Sequence, residues 1–265
     1  MQERAQSSVL VSVKAGVARV TLNRPERHNA FDDAFIGELT ETFARLARAP
    51  EARAVVLAAR GKSFSAGADL NWMKRTGGYS REENHADARR LAALMHVLDT
   101  LAKPTVALVQ GAAYGGGVGL VAACDIAIAS HEAIFCVSEV KFGLIPAVIS
   151  PYLLRAIGPR AARRYVLTAE RFDAAEAHRL GLVHAVVEAS ALEAAGREVT
   201  DCLFANGPEA VVEAKALIAE VAGRPVDAAM MEDTARRTAE RRASAEAREG
   251  VAAFLEKRKP AWPKD

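Results

Sequence analysis

Cysteine is scarce: Cys124, Cys136 and Cys202 are the only three in 265 residues. Odd in number and widely spaced, they give neither a disulfide framework nor a zinc site, and read as small buried apolar residues of a chain in a reducing compartment. The six histidines (His28, His85, His96, His131, His178, His184) stand at no metal-ligand spacing. Charge of one sign is lacking too: the formal net charge is +2, which gives no electrostatic reason to expect nucleic acid as a partner. No apolar run approaches the length of a membrane span, and Met1–Ser8 is polar rather than a signal sequence, so a soluble, cytoplasmic protein is expected. Internal repeats are missing, and the one biased tract is Ala/Glu/Arg-rich, from Ala235 to Arg248. Neither a Gly-x-Ser-x-Gly elbow nor a phosphate-binding Gly-Lys-Ser/Thr loop occurs. What remains is ordinary globular material, 51% apolar and 26% charged, enough for one large or two unequal domains.

The stretch around which the chain is organised runs from Val106 to Pro146. An apolar run at Thr105–Val109 reads as a buried strand and stops at Gln110-Gly111. Gly115, Gly116 and Gly117 follow, then an apolar segment, Val118–Cys124, of helical character. Glycines between strand and helix leave backbone N–H groups bare, and a helix start adds free donors and a partial positive charge. Such a turn holds an anion, or a carbonyl oxygen that becomes one during reaction. An isolated glycine run serves equally as a tight turn with no ligand.

Taken in order, Val9–Val13 and Val17–Leu22 flank Ala15-Gly16 as a β-hairpin. Asp32-Asp33 caps a helix whose apolar side carries Phe35, Leu39, Phe43 and Leu46. Ala54–Ala59 is a buried strand, and Gly61-Lys62-Ser63 turns the chain into Phe64–Leu70. Asn71–Ser80 reads as irregular. Ser80 and Glu83 form a capping box for a helix with Leu91, Leu94, Met95, Leu98 and Leu101 inside, ended by Lys103-Pro104. Short strands are expected at Ile126–Ala129, Ile134–Val137 and Val183–Val187. Helices are expected at Pro151–Ile157, Arg160–Leu167 and Ala174–Arg179. Strands alternating with helices give an α/β class with right-handed crossovers. After about Ser190 only helices follow, so the chain divides into a core, 1–190, and a helical region, 191–265, that packs on the core or on another subunit.

Two N–H-rich turns, around Ala68 and Gly116, and one carboxylate, Glu139, carry the chemistry the residues suggest. Local sequence alone favours Glu139 as a solvated loop residue or a buried ion-pair partner. Its apolar neighbours Ile134, Phe135, Val137, Val140, Phe142 and Leu144 also allow a raised pKa suited to proton transfer.

Several blocks of this sequence together resemble the enoyl-CoA hydratase/isomerase (crotonase) family over nearly the whole chain. They are Leu22-Asn-Arg-Pro25 with Asn29-Ala30, Phe64-Ser-Ala-Gly-Ala-Asp-Leu70, Gln110-Gly-Ala-Ala-Tyr-Gly-Gly-Gly117, Cys124-Asp125, Ser138-Glu139 with Gly143-Leu-Ile-Pro146, Ala174-Ala-Glu-Ala177 with Gly181-Leu-Val183, and Phe254-Leu-Glu-Lys-Arg-Lys259. The resemblance implies a crotonase-like ββα spiral core with a C-terminal helical oligomerisation region, giving a homotrimer or a hexamer built from two trimers. It implies an oxyanion hole from the N–H groups of Ala68 and Gly116 and an acid/base at Glu139. The coenzyme A part of the substrate would lie near Arg27, His28, Ala66, Asp69 and Leu70, with Phe254 and Lys257 arriving from a neighbouring subunit. No separate cofactor and no metal are implied.

Hydratases of this family usually carry a second glutamate three residues after the oxyanion glycine, where this chain has Gly119. Gly-Gly-Gly-Val-Gly-Leu, Phe-Cys-Val-Ser-Glu-Val and Gly-Leu-Ile-Pro-Ala-Val-Ile-Ser-Pro look like bacterial methylglutaconyl-CoA and carboxygeranoyl-CoA (isohexenylglutaconyl-CoA) hydratases of leucine and terpene breakdown, which also lack it. A hydratase is therefore expected, with a Δ3,Δ2-enoyl-CoA isomerase using the same glutamate as the alternative. An RNA-binding relative uses a lysine-rich helix, whereas the matching segment here, Asp32–Arg48, has no lysine; a catalytically idle scaffold is at odds with Glu139 and both turns. For the terminal carboxylate of a glutaconyl-type acyl group, Lys74 and Arg75 are the first candidates, with Tyr114, Ser138 and Lys141 next and Gly119 on the same pocket.

Overall fold

The computed structural model describes residues 7–262. Most of the polar start read at Met1–Ser8 lies outside them, as do the last residues of the C-terminal region. Two strands open the chain, β1 (Val9–Lys14) and β2 (Val17–Leu22), an antiparallel hairpin in which Lys14 faces Val17. The two turn residues, Ala15 and Gly16, have φ of 49° and 80°, the sign that fits the turn to the twist of the strands. Helix α1 (Asp33–Ala47) follows, with Asp32 accepting from the Phe35 N–H as N-cap. Then come β3 (Ala54–Ala59), α2 (Leu70–Thr76), α3 (Arg81–Asp99), β4 (Thr105–Val109), β5 (Ala112–Tyr114), α4 (Gly116–Ala123), β6 (Ile126–Ser130) and β7 (Ile134–Cys136). Helix α5 (Ser150–Thr168), β8 (Phe172–Asp173), α6 (Ala174–Leu180), β9 (Ala185–Val187), α7 (Leu192–Ala205), α8 (Pro208–Val221), α9 (Ala228–Arg242) and α10 (Ala245–Leu255) complete it.

The larger sheet has the order β1-β2-β3-β4-β6-β9 and is parallel from β2 onward. Its middle strands are buried on both faces, which explains their unbroken apolar reading. Beneath one face lie α1, α3, α4 and α5 around Phe35, Phe43, Leu94, Leu98 and Leu120. The other face, through Val56, Val106, Leu108 and Ile128, is covered by α7 with Leu192, Val199 and Leu203. Gly196 permits that approach: a methyl there would stand 2.9 Å from Leu108 Cδ2. The first helix of the C-terminal region thus closes the sheet's second layer. Farther on, Glu246, 3% exposed, accepts from the Glu209 and Ala210 N–H groups at the start of α8 and pairs with Arg241.

A smaller sheet, β5-β7-β8, stands apart from the larger one. The chain leaves β4 through Gly111, where a Cβ would lie 1.8 Å from the Lys62 carbonyl oxygen and φ is +58°; only glycine fits. Sequence reasoning missed β5 and β8, short strands of three and two residues whose existence depends on partners distant in the chain. It also took Asn71–Ser80 as irregular. The first part is helical, because Asp69 accepts from the N–H groups of Asn71 and Trp72 and starts α2, which ends at Gly77. The two helices expected around Gly158-Pro159 are both present within α5, divided at Gly158, which is non-helical at φ 71° and ψ 162°.

Candidate active site

The two N–H-rich turns meet. Ser65 bridges to Ala113: the Ser65 N–H donates to the Ala112 carbonyl at 3.0 Å, and the Tyr114 N–H to the Ser65 carbonyl at 2.9 Å. Glycine makes this closeness possible. At Gly67, φ is +86° and a Cβ would be 3.0 Å from the Tyr114 carbonyl oxygen; at Gly117 it would be 2.9 Å from the Ser65 oxygen. Phe31 forms a parallel bridge with Ala68, through its N–H to the Gly67 carbonyl and its carbonyl to the Asp69 N–H. These bonds use the groups on either side of Ala68, so the Ala68 N–H has no backbone acceptor among the described residues. Gly116 opens α4, and its N–H, in the first turn, has no intrahelical partner. Ala68 and Gly116 both line a cavity of about 580 Å³.

Glu139 lines the same cavity. It begins a 3-10 turn, Glu139–Phe142, closed by Gly143 at φ 71°, and its carbonyl accepts from the Leu144 N–H at 3.1 Å. The side chain comes back toward the glycine turn, since a Cβ at Gly115 would stand 3.1 Å from Oε1. Oε2 is buried without a hydrogen-bond partner. Burial pushes the pKa above the ordinary carboxylate value, against weaker opposing pulls from the backbone of Glu139 and Ser138. Neither local reading of Glu139 holds: it is not freely solvated and has no ion-pair partner among the described residues. A carboxylate whose pKa burial raises, in one cavity with two unengaged N–H donors, is equipped to move a proton on a substrate whose oxygen the donors hold.

Of the residues expected around coenzyme A, Ala66 and Leu70 line the cavity, while Arg27, His28 and Asp69 do not and are joined to that segment by local contacts. The Ala66 N–H donates to the His28 carbonyl at 2.9 Å, His28 Nδ1 lies 3.1 Å from Ser63 Oγ, and Arg27 faces Asp69 at 3.5 Å. Leu70 is exposed. Phe254, 81% exposed, and Lys257, in a left-handed turn after α10, line no part of the cavity within the chain.

Three pocket expectations need correction. Lys74 and Arg75 sit on the solvent side of α2 and do not line the cavity; Arg75 pairs with Asp33 at 2.6 Å. The same helix turns Trp72, Met73 and Thr76 inward instead, as an i, i+1, i+4 pattern dictates. Gly119 is also off the wall. A Cβ there would lie 2.4 Å from Ile149 Cγ2 and 3.1 Å from Met95 Cε, so Ile149 stands between position 119 and the cavity. Gly119→Ala is expected to lower stability by about 1–3 kcal/mol through overpacking, read as a lower urea midpoint. Gly119→Glu is expected to be worse and to add no hydration activity. Tyr114, Ser138 and Lys141 do line the cavity. Sequence reasoning missed Asp87, Cys136 and Arg171, which line it as well; only Cys136 carried a signal, as an apolar-strand residue three positions before Glu139.

Residues 12–265 match the enoyl-CoA hydratase/isomerase family model. The chain belongs to this family. Among curated relatives, the short-chain-enoyl-CoA hydratase of Clostridium acetobutylicum is 33% identical over 259 residues, 96% of each chain. A crystal structure of an enoyl-CoA hydratase from Shewanella pealeana is 46% identical with a TM-score of 0.93, covering 97% of this chain and 96% of that one. Pseudomonas aeruginosa AtuE is 38% identical with a TM-score of 0.92, covering 97% and 99%. The enoyl-CoA hydratase/isomerase fold is therefore this chain's fold, with the bridged turns and Glu139 around its cavity. No helix among the described residues is long and apolar enough to cross a membrane.

Proposed function

We propose that the protein is an enoyl-CoA hydratase acting on a 3-methylglutaconyl-CoA-type thioester, with Glu139 as its acid/base. The observation that carries this is the buried, unpartnered Oε2 of Glu139 in one cavity with the unengaged N–H groups of Ala68 and Gly116. The thioester oxygen accepts from those two donors. Glu139 takes a proton from water as the water oxygen bonds to C3. The double-bond electrons move through C2 onto the thioester oxygen, where the fixed donors stabilise the charge without reorganising. The proton on Glu139 then passes to C2 as the carbonyl re-forms. The net change is OH at C3 and H at C2, and the carboxylate is regenerated. One carboxylate serves both proton movements, because position 119 offers none and Asp87 is held by Arg90. Its raised pKa brings the two protonation states closer at working pH.

The same lone carboxylate also suits a Δ3,Δ2-enoyl-CoA isomerase, in which Glu139 removes a proton from C2 and returns it to C4. A panel assay decides between them. Purified protein is expected to hydrate 3-methylglutaconyl-CoA and, less well, crotonyl-CoA, and to migrate the double bond of 3-enoyl-CoAs slowly; the opposite ranking would make it an isomerase.

Coenzyme A would lie along Arg27, His28, Ala66, Asp69 and Leu70. The exposed Phe254 and Lys257 would complete that site from a neighbouring subunit of a homotrimer or a hexamer of two trimers. Exposed Val251 and Leu255 on the same helix give that contact an apolar surface.

A further inference from the structure

Among the described residues, four charged side chains line the cavity: Asp87, Glu139, Lys141 and Arg171. Their charges do not cancel. Asp87 is 6% exposed and already engaged, with Oδ1 accepting from Arg90 at 2.7 Å and from Trp72 Nε1 at 3.4 Å. Glu139, the acid/base, lies within ion-pair distance of neither cation. Lys141 and Arg171 have no carboxylate within ion-pair distance among the described residues. The acids nearest Arg171 in sequence are taken: Glu170 by Arg164 at 2.5 Å, and Glu176 by Arg179 at 2.6 Å. Instead the Arg171 guanidinium lies over the Tyr114 ring, 5.6 Å from its centroid. That ring precedes Gly115 and Gly116, so the cation is tied to the segment that carries an oxyanion donor. Both cations also act on one wall: burial raises the Cys136 thiol pKa, and Lys141 and Arg171 pull it the other way.

A cavity lined by two cations that have no ion-pair partner among the described residues attracts an anion. The ring lies under the guanidinium, and a planar fork of donors matches a carboxylate in a way a lone ammonium does not. We propose that Arg171, backed by Tyr114 and assisted by Lys141, receives a carboxylate carried on the acyl group, so that the site selects dicarboxylic acyl thioesters over plain ones. This rests on the acyl-CoA reading of the cavity but not on turnover. It replaces Lys74 and Arg75 as readers of the substrate's far end. The phosphates of coenzyme A are the other source of negative charge, and every acyl-CoA carries them.

The test therefore compares ligands that differ only in the acyl carboxylate. Calorimetry with glutaryl-CoA and butyryl-CoA, both saturated and unreactive, measures binding even if no hydration is found. Wild type is expected to bind glutaryl-CoA at least about tenfold more tightly. Arg171→Met should erase that preference while leaving butyryl-CoA within about twofold, and Arg171→Lys should restore part of it. In turnover, Arg171→Met should lower kcat/KM for glutaconyl-CoA through KM and spare crotonyl-CoA. Equal losses on both ligands would move the contact to the coenzyme A phosphates and overturn the proposal. So would a glutaryl preference that survives Arg171→Met, or its absence in wild type. Failure of wild type to hydrate any enoyl-CoA would instead count against the hydratase reading and leave the binding comparison intact.

Discussion

Glu139→Gln is expected to lower kcat by about a thousandfold, with the affinity for a saturated acyl-CoA within about twofold of wild type. Glutamine keeps the shape of the side chain beside Gly115 and cannot accept and return a proton. Steady-state kinetics and calorimetry read the two halves separately, and a variant with near-wild-type kcat would remove Glu139 from the mechanism. The raised pKa adds a second, opposite effect on stability. The folded protein holds the Glu139 proton more tightly than the unfolded chain does. This group's contribution is therefore fully favourable below the ordinary carboxylate pKa and is lost as pH rises through the raised folded value. Glutamine does not titrate. Thermal melts should accordingly show Glu139→Gln gaining Tm on wild type between pH 4 and pH 8, while activity of the wild type falls on the acid side of the raised pKa. A Tm difference that stays flat with pH would mean that the carboxylate is no less solvated folded than unfolded.

Gly67→Ala is expected to reduce kcat/KM by about a hundredfold in protein that still folds. Alanine at φ +86° costs about 1–2 kcal/mol. Its methyl would also press on the Tyr114 carbonyl at 3.0 Å, a backbone atom that cannot swing aside. Relief comes from shifting the 67–68 peptide, and with it the direction of the Ala68 N–H. Kinetics at a temperature well below the midpoint of the melt separate this from unfolding. Wild-type kcat with a lowered Tm would show that the Ala68 donor is not aimed at the reacting oxygen, or does not need to be.

Local pattern sufficed where local chemistry sets the structure. The Ala15-Gly16 hairpin, the Asp32 and Ser80 caps and the buried β3 and β4 strands were all legible, because each depends on residues within a turn or two. The two N–H turns were legible as glycine-rich breaks, and Glu139 as a carboxylate among apolar neighbours. What failed was reach. Ile149 fills the space at Gly119, and no reading of residues near 119 shows a side chain thirty positions on. Arg171 comes to the cavity through β8, a two-residue strand that exists only because β7 is there to pair with it. Lys74 and Arg75 could reach the pocket only from a loop; the Asp69 cap makes that segment a helix, and the helix decides which side faces water.

The bridge between Ser65 and Ala113 has a consequence for how this enzyme should die on heating. The two donors lie on segments far apart in sequence, each shaped by backbone contact with the other, and Phe64 and Ala113 beside that contact belong to one buried core. Neither donor can loosen alone without breaking the Ser65–Ala113 bridge and disturbing the buried residues beside it. Loss of activity on warming should then coincide with loss of circular dichroism, in a single transition. An early, reversible silencing of the site while the helices persist would belong to the exposed Phe142–Ile145 rim rather than to the catalytic turns.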